Sequence, residues 1–373
     1  MNQEAVRTNS VSNKNYSDLN GLTLPQVLFK QAESFSPDDI AIREKAFGIW
    51  NTFNWQEYAT QSKYVGLGLK KLGLNRGDNV ALIVDNGPEW LFSELGSQAV
   101  GGVTLNLFTS AVAKEQIYGI NRIEAAYVFA QDQEQVDKLL ENRDQVPSIK
   151  KVIYIDPTGM RNYKDNSWLV SYVDLLEEGK KLEQEQPALF SDEMEIGNST
   201  DTALMIMTSG TTGLPKMVML SHENFADMSI KWLSTSPIDP GDNWISISPP
   251  AWIVDQMWGV GVTLFGGLTM NFPENQETVV EDFREVGPTI IITSSRFWED
   301  LASKIRVKIT ETGVIKRLFY NLAQKIGQAV QTKKEAKQRI SIGLRLMNWL
   351  ARITVFRPLL DRIGCLKFKA AYT

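Results

Sequence analysis

The residues best suited to chemistry form one run, Thr208-Ser209-Gly210-Thr211-Thr212-Gly213-Leu214-Pro215-Lys216. Its first six positions hold only hydroxyl side chains or glycine. Glycine lets successive backbone N–H groups turn toward one anion, a concavity that favours negative charge. The hydroxyls of Thr208, Ser209, Thr211 and Thr212 add donors, and Lys216 adds a mobile positive charge. Such a loop suits a polyphosphate. A glycine–threonine hairpin with no ligand is the plainer alternative, but a tight hairpin needs about two turn residues, not six followed by a lysine. An ordinary nucleotide-loop phosphotransferase is excluded. Leu214-Pro215 separates the last glycine from the lysine, no Ser or Thr follows it, and a strand pattern comes next instead of a helix.

Two apolar runs, Ala203 to Met207 and Met217 to Leu220, flank the loop as short strands. A second breaker, Ser248-Pro249-Pro250-Ala251-Trp252, leaves another strand over Trp244 to Ile247. In open parallel sheets ligands lie beyond the carboxyl ends of strands, so the two stretches are placed to flank one crevice. Trp252 then lines a pocket or joins the core, and Trp258, at helical spacing, reads as core. The single histidine, His222, sits just past a strand and reads as a helix-start or packing residue. With one histidine and one cysteine, Cys365, neither a multi-histidine metal site nor an intrachain disulfide is available. A reducing cytoplasmic compartment follows from the cysteine usage, and the polar first 20 residues hold no apolar leader core.

Strand and helix patterns alternate along the chain. Val80 to Val84, Val103 to Leu105, Ala125 to Ala130 and Val152 to Ile155 are strands with helices between them, and the alternation resumes after the loop. That order implies an α/β fold with doubly wound, mostly parallel sheets and right-handed crossovers. Residues 1–20 read as a flexible tail and 21–200 as a first α/β subdomain. Within it, 157–200 form a polar spacer in which Trp168-Leu169-Val170 and Val173 to Leu176 suggest a short packed helix. Residues 201–373 read as a second subdomain with the loop and a helical insert at 300–363.

Thr208 to Lys216 resembles the phosphate-binding signature of the adenylate-forming superfamily, which includes acyl-CoA synthetases, luciferases and peptide-synthetase adenylation domains. Met217 stands where that family usually has glycine, and Ala251-Trp252 where it usually has an aromatic residue followed by histidine. Asn271-Phe272-Pro273-Glu274 and Ser295-Arg296-Phe297-Trp298-Glu299 resemble its long-chain fatty-acid–CoA ligase branch. The resemblance implies two stacked α/β subdomains and a two-step reaction. A fatty carboxylate attacks ATP to give acyl-adenylate and pyrophosphate, and a thiol, usually that of coenzyme A, then takes the acyl group. It implies that Thr208, Ser209, Gly210, Thr211, Thr212, Gly213 and Lys216 bind the nucleotide, with Thr212 and Lys216 catalytic. The resemblance also implies that Ala251 and Trp252 line the acyl pocket. Mg²⁺ is expected to be held beyond residue 373, because the resemblance places the rest of the fold after that point. This chain is therefore expected to be a partial sequence that adenylates poorly or not at all by itself. Acyl carrier protein is the alternative thiol, and a non-catalytic nucleotide- or lipid-binding remnant is the alternative of another class.

Net charge is −5, but residues 300–369 carry 16 Lys and Arg against four acids. An acidic body with one basic segment argues against nucleic-acid binding and raises a docking role for that segment. Its most apolar part, Ile340 to Leu360, is interrupted by Arg345, Asn348, Arg352 and Arg357, which argues against a spanning helix. Two readings stay open: peripheral contact with the cytoplasmic membrane face, or an insert packed on its own domain with a solvated basic face.

Overall fold

Apolar runs separated by helical patterns become parallel strands. The computed structural model describes residues 16–163, 165–208, 215–275 and 277–372. They form two units, one running through Glu274 and one from Asn275 onward. Most of the proposed 1–20 tail lies outside the described residues.

The strands of the first unit, in chain order, are β1 (Ile40–Ala46), β2 (Ile49–Asn54), β3 (Asn79–Ile83), β4 (Val103–Asn106), β5 (Tyr127–Ala130), β6 (Lys151–Tyr154) and β7 (Leu169–Ser171). β8 (Thr202–Thr208), β9 (Lys216–Ser221), β10 (Asn243–Ile245) and β11 (Thr269–Phe272) complete it. Its helices are α1 (Leu24–Ser34), α2 (Trp55–Lys71), α3 (Pro88–Ala99), α4 (Ala113–Ile123), α5 (Gln133–Glu141), α6 (Tyr172–Glu185), α7 (Leu189–Ile196) and α8 (His222–Thr235). A short α9 (Ile253–Asp255) runs through a π-helical segment, Gln256–Val262, into α10 (Thr263–Gly266).

Seven strands lie in the order β7-β6-β5-β3-β4-β8-β9. All their pairings are parallel except β8–β9, which close as an antiparallel hairpin. Ile117 and Ile120 of α4 and Val136 and Leu139 of α5 pack on one sheet face against Ala81, Ile83 and Val128. Alternation puts Phe129 on the other face, where its ring meets that of Tyr172 on α6 at 6.4 Å. There α6 presses on α2 so closely that a Cβ on Gly179 would stand 2.1 Å from the Tyr64 carbonyl oxygen. A second group, β10-β11-β1-β2, is parallel but for the β1–β2 hairpin. Capping boxes start three helices: Thr23 with Gln26 for α1, Asn54 with Glu57 for α2, and Ser221 with Asn224 for α8.

The alternation of strands and helices thus yields the α/β fold. One local reading is corrected: Leu169 and Val170 form an edge strand, not part of a helix. Ser171 then caps α6 by accepting from the Asp174 N–H at 3.0 Å, so the helix begins only at Tyr172. β-branching at Val170 and pairing with β6 outweigh the helical spacing at that edge.

The second unit contains α11 (Val279–Val286), β12 (Ile290–Ile292), α12 (Ser295–Thr310), α13 (Val314–Glu335) and α14 (Ile342–Ala351). A π-helical turn at Arg352–Phe356, α15 (Arg357–Arg362) and β13 (Ala370–Tyr372) follow. β12 and β13 pair in parallel. Phe283 anchors this unit, with Phe297 and Phe368 rings 6.0 and 5.9 Å away. No helix among the described residues is long and apolar enough to cross a membrane.

Candidate functional site

The β8–β9 hairpin sets the site. Pairing runs from Thr202 opposite Ser221 to Thr208 opposite Lys216, so both ends of the glycine–hydroxyl loop stand at the tip of one hairpin. The Thr208 hydroxyl donates to the Lys216 carbonyl at 3.3 Å, and the Tyr118 hydroxyl from α4 donates to the Pro215 carbonyl at 2.8 Å. The return of the loop is therefore pinned to the helix that follows β4. Thr208 and Lys216 are both exposed. Ser209, Gly210, Thr211, Thr212 and Gly213 lie outside the described residues.

A cavity of about 520 Å³ opens beside Thr208. β8 contributes Ile206, Met207 and Thr208, β9 contributes Val218 and Leu220, and α8 contributes Asn224, Phe225 and Met228. Ala251, Trp252, Ile253 and Met257 form another wall, and Phe108, just past β4, completes it. Thr208 and Asn224 are its polar side chains; the rest are apolar. The volume falls in the range of small-molecule sites, and the lining suits an alkyl chain. Trp252 is 39% exposed and borders the cavity, whereas Trp258 is buried with its ring 5.3 Å from that of Trp232.

Polar groups buried behind Trp252 hold this wall. The Trp252 N–H donates to the Pro249 carbonyl at 2.9 Å. Gln256 Nε2 donates to the Pro250 carbonyl at 2.9 Å and to Glu94 at 3.1 Å. Glu94, fully buried on α3, also accepts from Trp90 Nε1 at 2.6 Å and Asn106 Nδ2 at 2.9 Å. Burial raises its pKa, and these donors oppose the rise. Asp255 accepts from the Ser246 hydroxyl at 2.7 Å, and its other oxygen, Oδ2, has no hydrogen-bond partner. Burial pushes Asp255 up to about 8, against the Ser246 hydrogen bond that pulls it down. Asn86, following β3, donates to the Ser246 hydroxyl and the Ser248 carbonyl. It thereby joins the carboxyl ends of strands from the two sheets of the first unit, on which the 248–252 loop rests.

His222 is the first residue of α8 and is buried. Its Nδ1 accepts the Leu24 N–H at 3.1 Å, satisfying a backbone donor in the first turn of α1. Burial lowers its pKa to about 4, so the ring is neutral at pH 7. It serves as a packing and capping group. Among the described residues no three His, Cys, Asp or Glu side chains gather as metal ligands.

The structure thus brings Thr208, Ala251 and Trp252 to one cavity and sets Lys216 beside its polar end. Sequence reasoning missed Phe108, Asn224 and Met228. Phe108 carried a usable signal, since it follows a parallel strand's carboxyl end. Asn224 and Met228 share one face of α8, a spacing of four that fits any amphipathic helix. The Glu94–Gln256 contact spans 162 positions and left no mark in the sequence.

The AMP-binding enzyme family matches residues 28–346. The chain is 27% identical over 320 residues to the long-chain-fatty-acid–CoA ligase ACSBG2 of Xenopus laevis, covering 82% of this chain and 42% of that protein. It is 26% identical over 355 residues to ACSBG2 of Homo sapiens, covering 92% and 51%. The chain spans about half the length of the curated relatives it matches. Among solved structures, an acetoacetyl-CoA synthetase from Streptomyces lividans aligns with a TM-score of 0.63 at 19% identity, covering 76% of this chain and 44% of that one. The anthranilate CoA ligase AuaEII, in complex with anthranoyl-AMP, aligns at 0.60 and 17%, covering 75% and 51%. These structural likenesses establish the shared fold.

Proposed function

The chain belongs to the AMP-binding enzyme family, and from that premise we propose that it supplies the acyl- and phosphate-binding part of an activity that joins a long-chain fatty carboxylate to ATP. A carboxylate oxygen attacks the α-phosphorus, the bond to the bridging oxygen breaks, and pyrophosphate leaves with the electron pair. The sulfur of coenzyme A then attacks the acyl carbonyl, giving up its proton to solvent, and AMP leaves.

The observation that carries the reading is that the alkyl-lined cavity ends at Thr208, the strand residue from which the glycine–hydroxyl loop departs. A chain lying between Met228 and Trp252 would present its carboxylate to that edge. We assign the phosphates to Thr208, Ser209, Gly210, Thr211, Thr212, Gly213 and Lys216. Donors fixed before reaction stabilise charge as it develops on the leaving group, the role given to Thr212 and Lys216. Among the described residues no three His, Cys, Asp or Glu side chains gather as metal ligands; Mg²⁺, where it takes part, would offset the negative charge of the phosphates. No covalent protein nucleophile enters, which accords with a neutral, buried His222.

Coenzyme A is the proposed thiol because the relatives' names specify CoA ligases. Acyl carrier protein is its alternative, separated by supplying each thiol to the trapped acyl-adenylate. We place the reaction on the cytoplasmic side. The test on this chain reads binding. A long-chain fatty acid brominated along its tail should quench the fluorescence of Trp252, measured as the difference from Trp252→Phe. Carboxylate-dependent exchange of labelled pyrophosphate into ATP is followed beside it. Identical quenching of both proteins, or none, overturns the cavity assignment.

A further inference from the structure

Two helices of the second unit carry apolar faces outward. On α13, Ile315, Leu318, Phe319 and Leu322 are 71, 67, 59 and 54% exposed, at the three- and four-residue spacing of one helix face. Another face of the same helix does the packing. Ala323 and Val330 are buried, and a Cβ on Gly327 would lie 3.3 Å from the Phe356 ring. α14 repeats the pattern. Ile342, Leu346 and Trp349 form an outward stripe at 85, 58 and 56% exposure, while Ala351, half a turn round the helix, is buried.

Charge surrounds these stripes. Between Thr312 and Leu360 stand ten Lys and Arg and a single acid, Glu335. A helix on a soluble domain turns its apolar stripe inward and its charges outward. Here both face out. The inward side of α13 carries Ala323, Gly327 and Val330, and its larger apolar side chains lie on the exposed side.

We propose that the α13–α14 pair lies in the surface of an anionic phospholipid bilayer. Leu318, Phe319 and Trp349 enter the acyl boundary, and Lys316, Lys325 and Arg345, which flank the two stripes, meet the phosphates. A bilayer offers apolar depth and negative charge together. The same face of a second copy offers like charge, which repels. No described helix spans, so the contact is peripheral. The proposal stands without the adenylation reading, since none of these residues lines the cavity.

The test is vesicle flotation of the full chain with phosphatidylcholine alone and with about one-third phosphatidylglycerol, at low salt and at about 0.5 M salt. Anionic vesicles should bind about tenfold more tightly, an advantage that salt removes. Leu318→Glu with Phe319→Glu should lower binding to them by about tenfold or more. Lys316→Glu with Lys325→Glu should reduce only the preference for anionic lipid. Both pairs are exposed, and unchanged fatty-acid quenching of Trp252 against wild type controls for folding. No flotation of the wild type, equal flotation of the Leu318/Phe319 variant, or self-association that those substitutions abolish without any vesicle binding would each overturn the proposal.

Discussion

Asp255 makes the pocket wall sensitive to pH. Its carboxyl is raised from an ordinary value near 3.8 to about 8 by burial. A carboxyl whose folded pKa is raised contributes stability that is complete below the unfolded pKa and lost as pH rises through the folded one. The window therefore runs from about 3.8 to about 8, and by pH 7 the group costs on the order of 4 kcal/mol relative to its protonated form. Asp255→Asn keeps an acceptor for the Ser246 hydroxyl and removes the charge. Glu44, pushed up to about 7 by burial and the neighbouring Glu89, acts in the same direction, while His222, lowered to about 4, opposes it below its ordinary value of 6.5. Burial also raises Glu89 and Glu94, which act in the same direction, so the share of Asp255 is the difference between wild type and Asp255→Asn. Urea melts from pH 7 to 8 should show the wild type losing about 1 kcal/mol that the variant keeps. Quenching by the brominated fatty acid should weaken over the same interval in the wild type alone, because Asp255 follows Trp252 by three residues. Parallel pH profiles for the two proteins would refute the argument.

Met228→Trp places an indole in the cavity. If it displaces three methylenes, long-chain acids lose about 2.4 kcal/mol, roughly 60-fold in affinity, while short acids bind as before; titration across chain lengths reads this. His222→Leu removes the acceptor for the Leu24 N–H and should cost about 1–3 kcal/mol in a urea melt, with fatty-acid affinity unchanged. Gly179→Ala drives a methyl into the Tyr64 carbonyl 2.1 Å away and should cost about 1–3 kcal/mol by the same assay.

The sequence revealed those features whose cause is local. Ala203 to Met207 and Met217 to Leu220 became the hairpin because an apolar run, a glycine-bearing bend and a second run leave the chain little else to do. Ala251-Trp252 follows a strand end and borders the cavity beside Thr208. What long-range pairing decides was not legible. Thr104 of β4 meets Leu204 of β8 a hundred positions on, and nothing in either strand names the other. Glu94 and Gln256 read as ordinary helix residues until burial joins them. The stripe Ile315–Leu318–Phe319–Leu322 has helical periodicity, and periodicity reports that a face exists and not what covers it.

The claim on which the account turns is that the loop from Thr208 to Lys216 holds the nucleotide's phosphates. Equilibrium ATP binding to the chain, with Thr211, Thr212 and Lys216 all replaced by alanine, measures it directly. At roughly 1 kcal/mol or more for each donor removed, affinity should fall by about 100-fold or more while fatty-acid quenching of Trp252 persists. ATP affinity equal to that of the wild type would contradict it.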